Sequence, residues 1–340
     1  MSKNVYTTGL IEMYFISIFY TIFRRRNKMK KSLSLILCLV LAFTVVLGLV
    51  GCTKNGGKDG SYTRDGDYIY MGEYPQTIKA GNVTITTTTD ARGYYLGSDG
   101  SYYAKVTAAP CEEGYKFSNG EVVTAGQDYY FKVEPIRWRV LKEGNGTAFL
   151  LCDSIIANIS YQPDYTHSSN FNYYTSANGA PEGTFANNYK YSNARAWLNS
   201  AFLNAAFSDN QKNTVILNTE VNNGLSSTGE AKNSYVCENT NDKVFLLSLV
   251  EANDSKNGIG SSASNYDESR KMITSDYSRA TGAWMDTSEN YYGDGMWWLR
   301  TPDSLYADIV RVIHFGNSDN LNRIANDKAG MVPALKITLD

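Results

Sequence analysis

The sequence predicts an α+β domain in which strands outnumber helices, with one short helical block and long polar loops. Hydrophobic residues make up 43% of the 340 residues and only 19% are charged, so the chain can bury a sizeable core. Apolar and polar residues alternate over 136–141, which puts Ile136, Trp138 and Val140 on one face of a strand. A helical spacing of apolar residues replaces this alternation in the block that begins near Ser192.

The N-terminus has the features of a targeting segment. Met29 and two lysines open a charged stretch, and residues 33–50 form a run without a charge, as in the apolar region of a signal peptide. The run ends in Leu49-Val50-Gly51-Cys52, which resembles the bacterial lipobox, in which the cysteine receives the lipid. We therefore expect residues 29–51 to be a lipoprotein signal peptide and Cys52 to be lipidated. A transmembrane helix with an incidental cysteine is the alternative.

These features set the expected domain boundaries. Residues 1–28 are best explained as an over-extended start, with a cytoplasmic extension as the alternative. Residues 52–64 are rich in Gly, Lys, Asn and Asp, which predicts a flexible tether. Residues 65–340 form the predicted single α+β surface domain, with a β-rich insertion at about 79–128. A lipid anchor would place this domain at the cell membrane, on its extracytoplasmic face.

Charge and cysteine content narrow the possible partners. Residues 1–51 hold seven Lys or Arg and one acidic residue, which leaves 25 basic and 33 acidic residues for the rest of the chain. No basic patch of the kind that nucleic acid requires is visible there, so we expect no nucleic-acid partner. We also expect the protein to be a monomer. The spacings of Cys111, Cys152 and Cys237 match no metal motif, and we expect neither a metal nor a cofactor. Three cysteines still permit one disulfide and one free thiol.

The remaining elements follow from local patterns. Alternation predicts strands, glycine-rich segments predict the turns between them, and Ser192 is a suitable N-cap. We predict a strand over 67–77 that breaks at Pro75, a hairpin of 94–96 with 102–106, pairing of 136–141 with 148–152, helices from Ser192 and around 275–285, a strand over 242–248, and strands over 309–313 and 333–337 with a turn at 316–322 between them.

The stretch Trp297-Trp298-Leu299-Arg300 is the most informative part of the domain. Successive side chains of a strand point to opposite faces. We therefore expect Trp297 and Leu299 to lie in the core, whereas Trp298 and Arg300 share the other face. On that face they form either a structural latch or, together with Asp303, a ligand-binding site.

Six landmarks follow one another along the chain, at 70–76, 135–141, 192–208, 242–248, 297–302 and 332–335. Together they resemble an uncharacterised bacterial domain-of-unknown-function family. That family occurs mostly in Gram-positive surface proteins and is recognised by a WWLRSP-like and a GVRPAL-like motif. Thr301 replaces the usual serine, and Val332 stands where arginine is usual, so any role of that arginine is missing here. The resemblance implies no activity, because none is assigned to the family.

A helical block, long loops and a late tryptophan-rich sheet that closes on the C-terminal strand also resemble, more distantly, the C-type lectin-like fold and its formylglycine-generating relatives. The lectin calcium triplet is not present, because Glu134-Pro135 continues with Ile136. Formylglycine-generating chemistry needs a late pair of cysteines, and none follows Cys237. Such a likeness in fold does not transfer function.

These observations favour a non-catalytic surface module that binds a glycan, a peptide or a cell-wall component. The tyrosines and asparagines of 161–191 are candidates for the contact surface. An enzyme acting on extracellular polymer is the alternative, although His167 and His314 are too few for most triads and zinc sites. A concave pocket lined by Trp298, Arg300 and two nearby carboxylates would favour the enzyme, whereas a flat aromatic surface would favour binding.

Overall fold

The computed structural model describes residues 60–168, 170, 172–260, 266–326 and 328–339. They form two main β-sheets joined by short helical segments and long loops, which confirms the predicted β-rich α+β class. The predicted over-extended start 1–28, the signal peptide 29–51 and Cys52 lie outside the described residues, as does most of the tether 52–64. In the described ranges, no helix is long and apolar enough to cross a bilayer.

The strands and helices have the following bounds. The strands are β1 Thr63–Asp65, β2 Tyr68–Ile78, β3 Ile85–Thr89, β4 Tyr95–Gly97, β5 Tyr102–Thr107, β6 Asp128–Gly144, β7 Thr147–Cys152, β8 Ala157–Asn158, β9 Thr166–His167, β10 Tyr173–Tyr174, β11 Thr219–Val221, β12 Thr240–Asp242, β13 Val244–Phe245, β14 Trp297–Pro302, β15 Ile309–His314, β16 Asn317–Arg323, β17 Gly330–Met331 and β18 Ala334–Thr338. The helices are α1 Asn193–Trp197, α2 Leu203–Ala206, α3 Leu249–Asn253 and α4 Asp276–Ala280, with π-helical turns at Leu198–Phe202 and Gln211–Val215 and 3₁₀ turns at Ala177–Gly179, Tyr189–Tyr191, Leu225–Ser227, Ser255–Asn257 and Glu268–Arg270.

The larger sheet is organised by the long strand β6. Its first half pairs with β5 and its second half with β7, while β2 pairs along the opposite edge of both halves. The order is β13-β18-β7-β6-β5-β4-β3. β6 therefore joins the strands of the predicted insertion at about 79–128 to those of the C-terminal part. The insertion and the boundary at residue 65 stay predictions.

The smaller sheet has the order β16-β15-β14-β17-β8 and contains the tryptophan strand β14 at its centre. β14 is antiparallel to β15 and parallel to β17, and all six of its residues are buried. A central strand covered on both faces reads as a continuous run of buried side chains. This position explains why both tryptophans, not one of them, belong to the core.

Two hydrophobic clusters stabilise the domain. The main one lies between the sheets and the helical block and includes Trp138, Trp297 and Trp298. The smaller one gathers apolar side chains under the 79–128 segment, with Phe117 and Phe131 at its centre. Buried apolar area of this kind is the dominant favourable term in folding. Cys111, Cys152 and Cys237 are free thiols, so the disulfide that their number permits is not formed here.

Three sequence predictions are wrong in detail. The strand predicted to break at Pro75 continues through it in β2, where Pro75 pairs with Val133 at a register shift. β1 pairs with β2 only over Tyr68–Tyr70, so among the residues that the structure describes the other edge of β2 has no partner strand at Pro75. The missing N–H of proline is tolerated at such an edge. The predicted strand over 242–248 is divided between β12 and β13, which pair with different strands.

The third wrong detail is the turn predicted at 316–322. The observed turn consists of only two residues, Phe315 and Gly316, both with positive φ. β16 begins directly afterwards, at Asn317. Two such residues form the tight hairpin turn that matches strand twist. By contrast, the hairpin of β4 and β5, the pairing of β6 with β7, and the Ser192 N-cap are confirmed.

Candidate functional site

The two tryptophans of β14 are fully buried and have satisfied indole groups. Trp297 Nε1 donates to the carbonyl of Arg270 at 3.1 Å, and Trp298 Nε1 donates to the carbonyl of Ile159 at 3.0 Å. The ring of Tyr161 packs against Trp298 with centroids 5.6 Å apart. A buried indole needs a partner of this kind, so both rings act as core side chains that tie β14 to neighbouring loops.

Arg300 is also buried, with 2% of its side chain exposed. Its Nη1 donates to the carbonyl of Leu246 and to Oε2 of Glu251, each at 2.5 Å, and its Nη2 donates to the carbonyl of Asn222 at 3.1 Å. Burial opposes ionisation of Glu251, but the charge and hydrogen bond of Arg300 and the bonds to Ser248 outweigh it, so the pKa of Glu251 is lowered. A buried guanidinium requires this saturation of its donors.

Asp303 organises the loop that follows β14. Its Oδ1 accepts hydrogen bonds from the backbone N–H groups of Leu305 and Tyr306 at 2.9 and 3.0 Å, and its Oδ2 lies 3.9 Å from Arg311 Nη2. Only 2% of the residue is exposed. An aspartate that caps nearby backbone donors in this way fixes a turn, and here the turn presents Leu305 and Tyr306 to solvent, 73% and 51% exposed.

The three residues predicted to bind ligand therefore all lie within the protein. Trp298, Arg300 and Asp303 share one strand and its following turn, but each has its partners inside the fold. The contacts fit the structural latch, one of the two roles expected for Trp298 and Arg300. A ligand-binding role for these three residues stays a prediction that no geometric feature supports.

An open concave site lies instead in the tyrosine-rich loop, between β8 and α1. We call it the tyrosine-loop pocket. Its volume is about 450 Å³, within the range of small-molecule sites. Its wall combines aromatic, acidic and hydroxyl side chains, namely Asp164, Tyr165, Thr166, Tyr174, Thr175 and Glu182. The sequence indicated this region as a contact surface, without showing that it is concave.

Buried hydrogen bonds hold the floor of this pocket. Gln162, which is fully buried, donates from Nε2 to the carbonyl of Asp164 and to Oγ1 of Thr175, each at 2.7 Å. Thr175 Oγ1 in turn donates to the same carbonyl at 2.8 Å. Gln162 Oε1 accepts from the N–H of Asn193 at the start of α1, at 2.9 Å. The pocket is thus preorganised by a helix, which lowers the entropy cost of binding.

Ring contacts brace the aromatic wall from behind. Tyr165 lies edge-on to Tyr173 at 5.4 Å, and Tyr174 stacks on Phe185 at 5.4 Å. Phe185 is held edge-on by Tyr235 at 4.7 Å. Tyr235 comes from a distant part of the sequence. It reaches Phe185 because two loops pack together in the fold, and such packing has no local sequence signal.

A second aromatic group surrounds the turn between β15 and β16. Trp284, His314, Phe315 and Tyr291 contact one another in series, with centroids 4.1–5.8 Å apart, and Lys271 lies 4.5 Å from the centroid of Tyr291. Burial lowers the pKa of His314 against the opposing influence of Asp286, which favours neutral imidazole among the rings. This group packs on itself, and its histidine reads as structural.

A larger cavity, of about 480 Å³, lies where the described chain begins. Residues 60–63, Gly72, Arg92 and Phe207 are among those that line it. Gln211 Nε2 donates to the carbonyl of Ser61 across this region at 2.7 Å. Because residues 60–63 themselves form part of the wall, we interpret this cavity as the place where these residues pack against the helical block.

Metal and thiol chemistry have little support in the described ranges. No group of three or more His, Cys, Asp and Glu side chains there could hold a metal ion. Burial raises the pKa of the Cys152 thiol to about 12, which keeps it protonated and inert.

The fold and site thus define a β-rich α+β domain. Its strand β14 carries tryptophans and an arginine whose hydrogen-bond donors have partners inside the fold, and its tyrosine-rich loop forms an open pocket lined by aromatic and acidic side chains. This chain belongs to the family described as a domain of unknown function, DUF6273, whose model matches residues 145–339. The match covers the tryptophan strand and the tyrosine-loop pocket, but it begins after the landmarks at 70–76 and 135–141. No curated protein and no solved structure matches the chain.

Proposed function

We propose that this protein is a membrane-anchored extracytoplasmic lipoprotein whose domain binds a glycan, a peptide or a cell-wall component without catalysis. The tyrosine-loop pocket carries the binding part of the proposal, because it is concave, aromatic and preorganised. Aromatic side chains with adaptable polar neighbours are the usual material of such contact surfaces. The alternative, an enzyme acting on polymer, would be favoured by a concave pocket lined by Trp298 and Arg300, and both are buried.

Binding of the full chain to purified cell walls and to a glycan array tests the proposal. Tyr174→Ala should weaken binding about three- to tenfold, since it removes a ring from the pocket wall. Tyr292→Ala is the control, because it removes the ring of a tyrosine that is 42% exposed and does not line the pocket. Absence of binding to any surface polymer, or equal losses in the two variants, would argue against this site.

The lipid anchor rests on the lipobox-like Leu49-Val50-Gly51-Cys52 after an uncharged run. More than one acyl chain, as in such lipoproteins, binds a membrane firmly. Cys52→Ala should release the protein from the membrane fraction and abolish labelling with palmitate, whereas Cys111→Ala should change neither. Continued lipid labelling of the Cys52 variant would refute the assignment.

We propose as well that the domain has a C-type lectin-like architecture. In support, the first and last strands of the family region, β7 and β18, pair with each other, and long loops lead to the tryptophan-rich sheet between them. An experimental structure tests this by superposition on lectin-like domains. Failure to superimpose the two sheets together would overturn it, without affecting the binding proposal.

A further inference from the structure

The tyrosine-loop pocket carries an excess of negative charge. Asp164 and Glu182 both line it and are both exposed, while none of its nine lining residues is basic. Within the described ranges, neither carboxylate has an ion-pair partner, whereas the exposed carboxylates of Glu238 and Asp319 are each paired with a basic side chain. The pocket is therefore unsuited to a phosphate or carboxylate ligand and complementary to a cation.

The aromatic wall has the same preference. The face of a tyrosine ring is the negative side of its quadrupole and attracts an ammonium group. Tyr165 is 37% exposed and Tyr174 is half-buried, and both rings are braced from behind by Tyr173 and Phe185. Because these rings are held in place, a cation gains their attraction without paying to order them.

The remaining lining favours a sugar over a flexible peptide side chain. Thr166 and Ser176 are exposed hydroxyl side chains on the wall, and with the two carboxylates they offer acceptors for ring hydroxyls. A volume of about 450 Å³ is more than an alkylammonium group needs and accommodates a pyranose ring stacked on a tyrosine.

We propose that the tyrosine-loop pocket binds an amino sugar whose amine is free and protonated, as in a de-N-acetylated glycan. The ammonium group lies between Asp164 and Glu182, and the sugar ring packs on Tyr165 or Tyr174. This inference rests on the proposed binding function and adds its ligand class. No bond is made or broken in this binding.

The test compares two oligomers that differ only in the proposed determinant. Full-length protein in detergent micelles is titrated, at slightly acidic pH and low salt, with a glucosamine hexamer and with an N-acetylglucosamine hexamer. We expect the glucosamine hexamer to bind at least fivefold more tightly, and its affinity to fall as salt screens the charges. Equal or tighter binding of the acetylated hexamer would overturn the inference.

Isosteric variants locate the effect. Glu182→Gln and Asp164→Asn should each weaken binding of the glucosamine hexamer about two- to fivefold, as expected for an exposed ion pair, and the double variant should weaken it further. Asp209→Asn is the matched control, since Asp209 is exposed and does not line the pocket. Thermal unfolding of all variants should match that of the parent, because these side chains are exposed.

The outcomes separate this inference from the function on which it rests. If the acetylated hexamer or cell walls bind, and binding is lost in Tyr174→Ala but unchanged in Glu182→Gln, the pocket is a binding site and the amine inference is wrong. If binding of the glucosamine hexamer is unchanged in both Tyr174→Ala and Glu182→Gln, the oligomer binds elsewhere, which overturns the inference. If no polymer binds at all, both proposals fail.

Discussion

The tryptophan strand and the tyrosine-loop pocket are built from similar side chains and used in opposite ways. In β14, the aromatic rings and the arginine are buried, and every polar group described above has an internal partner. In the pocket, both carboxylates and Tyr165 are exposed and Tyr174 is half-buried, and the buried hydrogen bonds lie beneath them. Aromatic and charged residues at the centre of a sheet therefore stabilise this fold, and the proposed binding site lies in a loop held by that fold.

The largest expected effect concerns Arg300. Arg300→Met should lower the free energy of unfolding by about 3 kcal/mol or more, because it leaves Glu251, the buried carbonyl of Leu246 and the partly buried carbonyl of Asn222 without their donor. Arg64→Met removes a surface pair with Glu143, 2.6 Å apart and about one-third exposed, and should cost at most about 1 kcal/mol. Denaturant unfolding measures both.

Binding separates the two roles of this strand. Well below its melting temperature, Arg300→Met should bind the pocket's ligand as the parent does, since Arg300 does not line the pocket. A specific loss of binding in a folded Arg300→Met protein would restore the ligand-contact role and break the contrast between strand and pocket.

A smaller effect is expected for Gln162. This residue is buried, like those of β14, but its hydrogen bonds support the pocket. Gln162→Leu should cost roughly 2 kcal/mol, because Thr175, Asn193 and the Asp164 carbonyl lose a buried partner. Unlike Arg300→Met, it should also weaken binding, since the pocket floor is no longer fixed. Parallel unfolding and binding titrations measure the two effects.

The control is Gln76→Leu. Gln76 also donates from its side chain to two carbonyls, at 3.0 and 3.2 Å, but it is more exposed and does not line the pocket. It should reduce stability less and leave binding intact. If Gln162→Leu destabilises the protein but binds normally, preorganisation of the pocket is not needed.

The same contrast explains how far the sequence could be interpreted. Period-two alternation predicted the second half of β6, because one face of that segment is buried and the pattern records this. It did not show that β14 is covered on both faces, which depends on the loop that carries Ile159 and on Glu251 of α3. These contacts join residues more than 40 positions apart, and such long-range packing has no local signature.

The pocket was less predictable still. Composition indicated 161–191 as a polar, tyrosine-rich contact surface, but its concavity depends on Gln162 and Thr175, which have no motif. Tyr235 was missed for the same reason. Arg300, by contrast, is predicted as a ligand contact because strand alternation puts it on the face of Trp298. Here it forms a structural ion pair with Glu251, and Asp303 fixes the turn that follows.

The smallest effect is the pH dependence that the Arg300–Glu251 pair adds to stability. The pKa of Glu251 is lower in the folded protein than its ordinary value of 4.5. A carboxylate of this kind contributes stability that is fully present above its unfolded-state pKa and is lost as pH falls through the folded one. Unfolding free energy should therefore decline below about pH 4.5, more steeply in the parent than in Glu251→Gln. Glu220→Gln, a change at an exposed glutamate, should keep the parental slope; if Glu251→Gln keeps it too, Glu251 does not contribute to this acid sensitivity, and the latch depends on the carbonyl contacts of Arg300 alone.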